Sequence, residues 1–256
     1  LVDFNRAGIP LLEIVTEPDI NSPQEAYEYL TALKSLLEYL DVSDCDMEKG
    51  SLRCDANVSL RKKGEQKLGT KTELKNMNSF KAIREALGYE IERQTEFLEN
   101  GKEIIQETRL WDDQGLKTLP MRTKEEARDY RYFPEPDLPP FIISKEKIEK
   151  VIKTLPELPA EKMLRFIREY GLAEYDTKIL IASRKNADYA ESCFRLSVDI
   201  NKKPIANWLI GALLSEANLR NCGLSELKVP QKELITLIDM ALAQKISNLT
   251  AKSVLS

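Results

Sequence analysis

Residues 52–61, LRCDANVSLR, alternate between apolar and polar side chains along their whole length. Successive side chains of a β-strand point to opposite faces of its sheet, so this alternation predicts a strand with one buried face and one polar face. Arg53 and Asp55 belong to the polar set. The stretch therefore predicts a sheet that carries a carboxylate and a guanidinium on its exposed side.

A second alternating strand is predicted from Lys71 to Lys75, after a turn bounded by Gly64 and Gly69. In such a strand Lys71, Glu73 and Lys75 point to the same side. If the two strands pair as a hairpin, five charged side chains share one face: Arg53, Asp55, Lys71, Glu73 and Lys75.

Two interpretations of this charged face stay open on the pattern alone. It is either a solvated strand face with ordinary cross-strand ion pairs, or a site for Mg²⁺ and phosphoryl groups. Mg²⁺ takes a few carboxylates and keeps waters for substrate, while lysine and arginine stabilise phosphoryl charge. On the second interpretation Lys71, Lys75 and Arg53 act on phosphoryl oxygens, beside Glu73.

The apolar run from Ile9 to Val15 is short, rich in branched residues and followed by Glu17-Pro-Asp19. These features predict a buried strand. Glu13 lies within the run, and a buried carboxylate is costly unless it is paired or bound to a metal. We therefore expect Glu13 and Asp55 to belong to one divalent-metal site.

The remaining patterns predict an α+β chain, in which a mixed-sheet domain is followed by helices. Ser22-Pro23 begins a helix over about 23–40, and Asn78-Ser79 begins another that ends at Asn100-Gly101. A hairpin is expected over 104–111 and 116–122, and a short strand over 141–143. Further helices are expected near 145–155, 159–170, 173–182, 184–196, 204–220, 230–243 and 247–256.

Breaks near Leu155-Pro-Glu-Leu-Pro159 and after Gly223 divide the chain into predicted domains 1–155, 156–225 and 226–256. Between the predicted strands and helices, the loop Asp129–Asp137 is rich in proline and aromatic residues. It is either a rigid surface loop or a substrate-facing loop that stacks on bases or ribose.

Composition excludes several classes of site within these 256 residues. There is no histidine, so the chain holds no Ser-His-Asp triad and no histidine-ligated zinc. The four cysteines form no C-x-x-C and are expected to be reduced thiols. No apolar run reaches the roughly 18 residues that span a bilayer, and no P-loop or Rossmann glycine motif occurs.

The net charge of −4 is unevenly distributed, because residues 200–256 hold seven Lys and Arg against four Asp and Glu. A mildly basic end suits sequence-independent contact with RNA phosphates. We expect four lysines there to contribute to such contacts, with ordinary solvated helix positions as the alternative: Lys228, Lys232, Lys245 and Lys252.

The chain resembles the B-subunit family of the tRNA-dependent glutamyl/aspartyl amidotransferases over nearly its whole length. The similar segments are Leu1–Asp19, Gly50–Ser59, Lys71–Phe80, Gln106–Arg109 and Asp129–Asp137. The resemblance implies a mixed α/β cradle domain, a helical domain and a small helical tail that contacts tRNA. It also matches Glu13 and Asp55 to carboxylates of the family's metal site.

The activity implied by the resemblance is that of a ligase that forms a carbon–nitrogen bond with glutamine as amido donor. ATP and Mg²⁺ serve to phosphorylate the side chain of Glu on tRNA(Gln) or of Asp on tRNA(Asn), and ammonia then displaces the phosphate. The implied partners are a glutaminase (amidase) A subunit, a small C subunit and the misacylated tRNA, without a membrane. The implied location is bacterial cytoplasm or, alternatively, an organelle.

The chain also departs from the family pattern. The family's His-x-Glu pair would precede Leu1, and the family's tail continues beyond Ser256. We therefore expect a fragment that is inactive alone, lacking the N-terminal part and the end of the tail. The alternative function is a non-catalytic tRNA-binding or scaffold module of the same complex.

Overall fold

The computed structural model describes residues 4–5, 8–121, 136–137, 139–197 and 201–255. The chain forms two compact units. The first contains Leu1–Thr31 and Arg53–Glu125, and the second contains Ala32–Leu52 and Glu126–Ser256. The predicted domain boundaries near 155 and 225 stay predictions.

The first unit is built on a four-stranded sheet. Its strands are β1 (Ala56–Val58), β2 (Thr72–Lys75), β3 (Thr108–Asp112) and β4 (Lys117–Pro120), in that spatial order. Two antiparallel pairs, β1–β2 and β3–β4, are joined by a parallel pairing of β2 with β3. A parallel pair needs a long crossover connection, which a helix supplies here. Both predicted hairpins and the mixed sheet are thereby confirmed.

That crossover helix, α2 (Phe80–Glu99), covers one face of the sheet. The Ser79 hydroxyl accepts a hydrogen bond from the Ala82 amide at 3.0 Å and so caps its first turn. Gly101, with φ of +70°, follows its last residues in the left-handed conformation that favours glycine. Its buried side chains, such as Ile83, pack in a core that includes Leu74 and Trp111 of the sheet.

Helix α1 spans Pro23–Tyr39, close to the predicted 23–40. The Ser22 hydroxyl accepts from the Glu25 amide at 3.1 Å, and the Glu25 carboxylate accepts from the Asn21 amide. These bonds satisfy backbone donors that the first helical turn leaves without partners.

Two predicted strands are wrong. Residues 9–15 have no regular secondary structure, and their side chains are exposed, with Leu11 at 92%. Residues 141–143 are likewise irregular and exposed. Apolar composition alone cannot make a strand, because a strand also needs a neighbouring backbone to pair with. Neither segment pairs with another strand within the described residues.

The second unit is helical beyond residue 144. Its helices are α3 (Lys145–Thr154), α4 (Pro159–Tyr170), α5 (Glu174–Leu180), α6 (Arg184–Leu196), α7 (Lys202–Trp208), α8 (Leu214–Leu219), α9 (Gln231–Leu242) and α10 (Asn248–Leu255). A π-helical turn, Leu209–Leu213, joins α7 to α8, so the single helix predicted over 204–220 is interrupted. A 3₁₀ turn, Leu224–Leu227, precedes α9. The predicted α+β class is confirmed.

The core of the second unit draws on helices from α4 to α10. Phe166, Phe194 and Leu213 are among its fully buried side chains, together with Ile238 of α9. Burial of such large side chains stabilises the unit by about 1.5–3 kcal/mol each.

Residues 129–135 of the predicted proline-rich loop lie outside the described residues. In the part of the chain that the structure describes, no helix combines the length and the apolar character needed to cross a membrane.

Candidate functional site on the sheet

The charged face of the sheet brings three of the predicted site residues together. The antiparallel register pairs Asn57 with Glu73, which places Asp55 opposite Lys75. The Lys75 Nζ lies 3.3 Å from Asp55 Oδ2 and 3.4 Å from Glu73 Oε1. The shared face that the alternation predicts is therefore present for these three residues, whereas their catalytic roles stay predictions.

The ammonium of Lys75 is held as a cation by its two neighbours. Partial burial acts to lower the pKa of Lys75, but hydrogen bonds and charges from Asp55 and Glu73 outweigh it, so the pKa lies above its ordinary value. Two carboxylates around one ammonium leave the cluster with a net charge of −1. Such a cluster favours a further cation, or a cation bound to a phosphate.

A fourth side chain, Thr108 of β3, joins the cluster. Its hydroxyl donates a hydrogen bond to Glu73 Oε2 at 2.8 Å, and the parallel register places Thr108 opposite Glu73. Each oxygen of the Glu73 carboxylate thus has its own neighbour, the Thr108 hydroxyl on one side and the Lys75 ammonium on the other. No charge or alternation pattern predicts a role for Thr108, although it belongs to the family-like segment Gln106–Arg109.

The other predicted site residues are not held in this cluster. Arg53 and Lys71 are exposed, and neither forms an ion pair or hydrogen bond among the described residues. Glu13 is exposed as well, in the irregular segment 9–15. The prediction of Glu13 as a carboxylate in a buried strand is therefore wrong, and its metal-binding role rests on the family resemblance.

A divalent cation fits these residues in one limited way. Among the described residues, no group of three or more Asp, Glu, Cys or His side chains is arranged to hold a metal ion. Asp55 and Glu73 do provide carboxylate oxygens around one ammonium. Mg²⁺ is commonly bound by only one or two carboxylates together with substrate phosphates. The donor set therefore suits a cation that arrives with a phosphate-bearing substrate.

A buried ionic network lies on the opposite face of the same sheet. Glu90 of α2 is fully buried, and its carboxylate is 2.6 Å from Arg93 Nη2 and 3.5 Å from Arg109 Nε. Thr118 Oγ1 donates to Glu90 Oε2 at 3.0 Å and accepts from Arg109 Nε at 2.8 Å. Arg109 Nη1 also donates to Glu107 at 2.6 Å.

This network ties α2 to β3 and β4 by hydrogen bonds that satisfy charged groups, as buried charges require. Burial acts to raise the pKa of Glu90, but its bonds to Arg93, Gln94 and Thr118 outweigh that effect and lower the pKa. The alternation of a strand puts Glu107 and Arg109 on one face, but no local pattern identifies Glu90 of α2 as their partner.

The thiol beside the cluster is not suited to nucleophilic catalysis. Burial, with a smaller contribution from the charge of Asp55, raises the pKa of Cys54 to about 11. The thiolate is the reactive form, so Cys54 is largely unreactive near neutral pH. All four cysteines are free, as the sequence predicts.

The basic end of the chain presents its lysines outward. The four lysines predicted to contact RNA are all exposed: Lys228, Lys232, Lys245 and Lys252. Exposure is a requirement for phosphate contact, and it is equally the property of an ordinary solvated helix position.

Comparison with known families gives two matches. Residues 1–149 match the family described as the GatB/GatE catalytic domain, and this range contains the whole charged cluster. Residues 188–256 match the family described as the GatB domain, which contains the four outward lysines.

Curated proteins similar to this chain share one description, the B subunit of an aspartyl/glutamyl-tRNA(Asn/Gln) amidotransferase. The protein from Carboxydothermus hydrogenoformans is 51% identical over 99% of this chain and 52% of its own length. The protein from Thermoanaerobacter sp. (strain X514) is 53% identical over 99% of this chain and 53% of its own length. That from Clostridium botulinum is 48% identical over the full chain and 53% of its own length. The chain thus spans about half the length of these relatives.

Proposed function

This chain belongs to the GatB family, and on that premise we propose that it takes part in the ATP-dependent amidation of a misacylated tRNA. Its relatives are named as the B subunit of an aspartyl/glutamyl-tRNA(Asn/Gln) amidotransferase. In this proposal the chain forms part of a ligase that makes Gln-tRNA(Gln), Asn-tRNA(Asn) or both. The observation that supports it is the Asp55–Lys75–Glu73 cluster, which lies within the match to the catalytic domain.

The proposed reaction has two steps. First, a side-chain carboxylate oxygen of the tRNA-bound Glu or Asp attacks the γ-phosphorus of ATP, and ADP leaves. Ammonia then attacks the carbonyl carbon of the acyl phosphate, inorganic phosphate leaves, and the amide forms after loss of a proton. Phosphoryl transfer of this kind depends mainly on positioning and on stabilisation of negative charge.

The charged face suits those two requirements. The Lys75 ammonium stabilises negative charge on phosphoryl oxygens or on the activated carboxylate, and the exposed Lys71 and Arg53 add positive charge once the substrate is bound. Asp55, with Glu13 as the family resemblance implies, would hold Mg²⁺, which supplies further neutralisation of phosphate charge when bound. Asp55 and Glu73 both contact the Lys75 ammonium and raise the pKa of Lys75.

The proposal includes partners. The relatives are named as one subunit of an enzyme, which supports assembly with other chains. We propose a glutaminase (amidase) A subunit that releases ammonia from glutamine, a small C subunit and the misacylated tRNA, acting in a bacterial cytoplasm.

A second candidate is a non-catalytic module that binds tRNA or holds the complex together. It is supported by the outward lysines of the GatB domain match. In this case the charged cluster would be an ordinary solvated strand face.

The replacement Asp55→Asn separates the two candidates. We expect it to reduce ATP-dependent amidation of misacylated tRNA by on the order of 100-fold, in the full-length protein assembled with its partner subunits. Glutaminase activity of the complex should persist. Asp239→Asn, at an exposed position on α9, is the matched control. If the Asp55 and Asp239 variants amidate tRNA equally well, the cluster has no catalytic role and the second candidate is favoured.

A further inference from the structure

The hydroxyl of Thr108 touches the charged cluster from outside the predicted site. It donates to Glu73 Oε2 at 2.8 Å, while Glu73 Oε1 lies 3.4 Å from the Lys75 ammonium. Lys75 in turn reaches Asp55 at 3.3 Å. The four side chains therefore form one continuous chain of contacts that runs from the residue before β1, across β2, to β3.

We propose that Thr108 is a positioning residue, which orients the Glu73 carboxylate so that Glu73 and Asp55 together direct the Lys75 ammonium. This inference rests on the proposed function, because it assigns Thr108 a role in the same reaction. Thr108 itself contacts neither substrate nor reacting atoms in this role.

The position of the hydroxyl is determined by both side chain and backbone. Threonine is β-branched, so few χ1 rotamers are open to it in a strand. The Met121 amide donates to the Thr108 carbonyl at 3.0 Å, and the Glu73 amide donates to the neighbouring Glu107 carbonyl at 3.0 Å. These bonds hold the start of β3 against the strands on either side of it.

The next residue anchors β3 from the opposite face. Arg109 points into the buried network, where it contacts Glu90 and bonds Thr118. Adjacent strand residues point to opposite faces, so Arg109 fixes the strand from below while Thr108 presents its hydroxyl above. The sheet thus links a buried network to a partly exposed carboxylate.

Loss of the Thr108 hydroxyl would remove the hydrogen bond to Glu73 Oε2, and water would replace it as the hydrogen-bond donor. Glu73 is partly exposed, with 34% of its side-chain surface accessible, so it has room to turn away from Lys75. Supporting partners of this kind are commonly worth about 10- to 100-fold in activity at metal sites. We expect a comparable effect here, in the turnover step rather than in substrate binding.

Two variants at the position and one control test the proposal. Thr108→Val removes the hydroxyl and keeps the shape, and Thr108→Ser keeps the hydroxyl. Thr95→Val is the control, because the Thr95 hydroxyl donates only to the carbonyl of Ile91 within α2. Each is measured in the full-length protein assembled with its partner subunits.

We expect Thr108→Val to lower kcat for amidation by on the order of 10-fold, with KM for ATP and for tRNA little changed. Thr108→Ser should recover most of kcat, and Thr95→Val should match the parent protein. Equal kcat values for the Val and Ser variants would overturn the proposal, and so would a change confined to KM.

Crystal structures of the Val and Ser variants give a readout that does not depend on activity. An ion pair extends to a distance of about 4 Å. We expect the distance from Glu73 Oε1 to Lys75 Nζ to exceed this limit in the Val variant but not in the Ser variant. If the parent complex amidates no tRNA but this distance changes, the proposed function fails while the positioning contact stands. If the distance is the same in both variants, Thr108 does not orient Glu73.

Discussion

The fully buried Glu90 of α2 lies 3.5 Å from the Arg109 guanidinium of β3, measured from Oε2 to Nε. This ion pair belongs to the buried network that also contains Arg93, Thr118 and Glu107. The ion pair connects the crossover helix α2 to β3, the strand that follows this helix. It therefore stabilises the parallel pairing of β2 with β3, on which the charged face depends.

Replacing Glu90 with Gln should destabilise the first unit at neutral pH by about 3 kcal/mol, because it leaves buried guanidinium charge with too few carboxylates. Hydrogen exchange of peptides that cover α2 and β3 measures this loss locally. Glu92→Gln, an exposed position on the same helix, is the control and should leave exchange unchanged.

The same variant carries a pH dependence. The pKa of Glu90 is lowered below its ordinary 4.5 in the folded protein. Its contribution to stability is therefore fully present above the unfolded pKa and is lost as pH falls through the folded pKa. We expect the difference between parent and Glu90→Gln to be constant near pH 7 and to shrink as pH falls below about 4.5. A difference that grows in acid would contradict this assignment.

Lys75 should matter more for turnover than Lys71. Lys75→Ala removes the cation between Asp55 and Glu73 and leaves two carboxylates without it, so we expect a decrease in kcat on the order of 100-fold. Lys71 has no such partners, and Lys71→Ala should give a smaller decrease. Steady-state kinetics of the full-length complex measures both, with the exposed turn residue Lys62→Ala as control. If both variants show the kinetics of the parent protein, Lys71 and Lys75 have no role in turnover and belong to an ordinary solvated strand face.

The basic end should contribute tRNA affinity that depends on salt but not on sequence. We expect the fourfold Lys→Gln variant at positions 228, 232, 245 and 252 to reduce the slope of log K against log salt by about 3. The full-length complex and its variants are compared by tRNA binding across a salt series. A fourfold Lys→Gln variant of α3, at 145, 147, 150 and 153, controls for net charge. An unchanged slope would remove this segment from the tRNA-binding surface.

Much of the local structure could be predicted because it depends on neighbouring residues. Ser79 and Ser183 each cap a helix, because the serine hydroxyl accepts a hydrogen bond from the backbone amide three residues further along the chain. The local sequence alone therefore indicates where α2 and α6 begin. The charged face could be predicted in the same way. Alternation assigns Asp55 and Lys75 to polar faces, and a hairpin then brings them together.

Local sequence patterns thus predicted most of the helices, the two hairpins, the family and the faces on which the charges lie, but not the π-helical turn between α7 and α8. Contacts between residues far apart in the chain follow from the tertiary structure. It paired β2 with β3, which places Thr108 beside Glu73, and it brought Glu90 to Arg109. It also left residues 9–15 without a strand, because hydrogen-bonding partners for a backbone come from elsewhere in the fold and not from its own apolar composition.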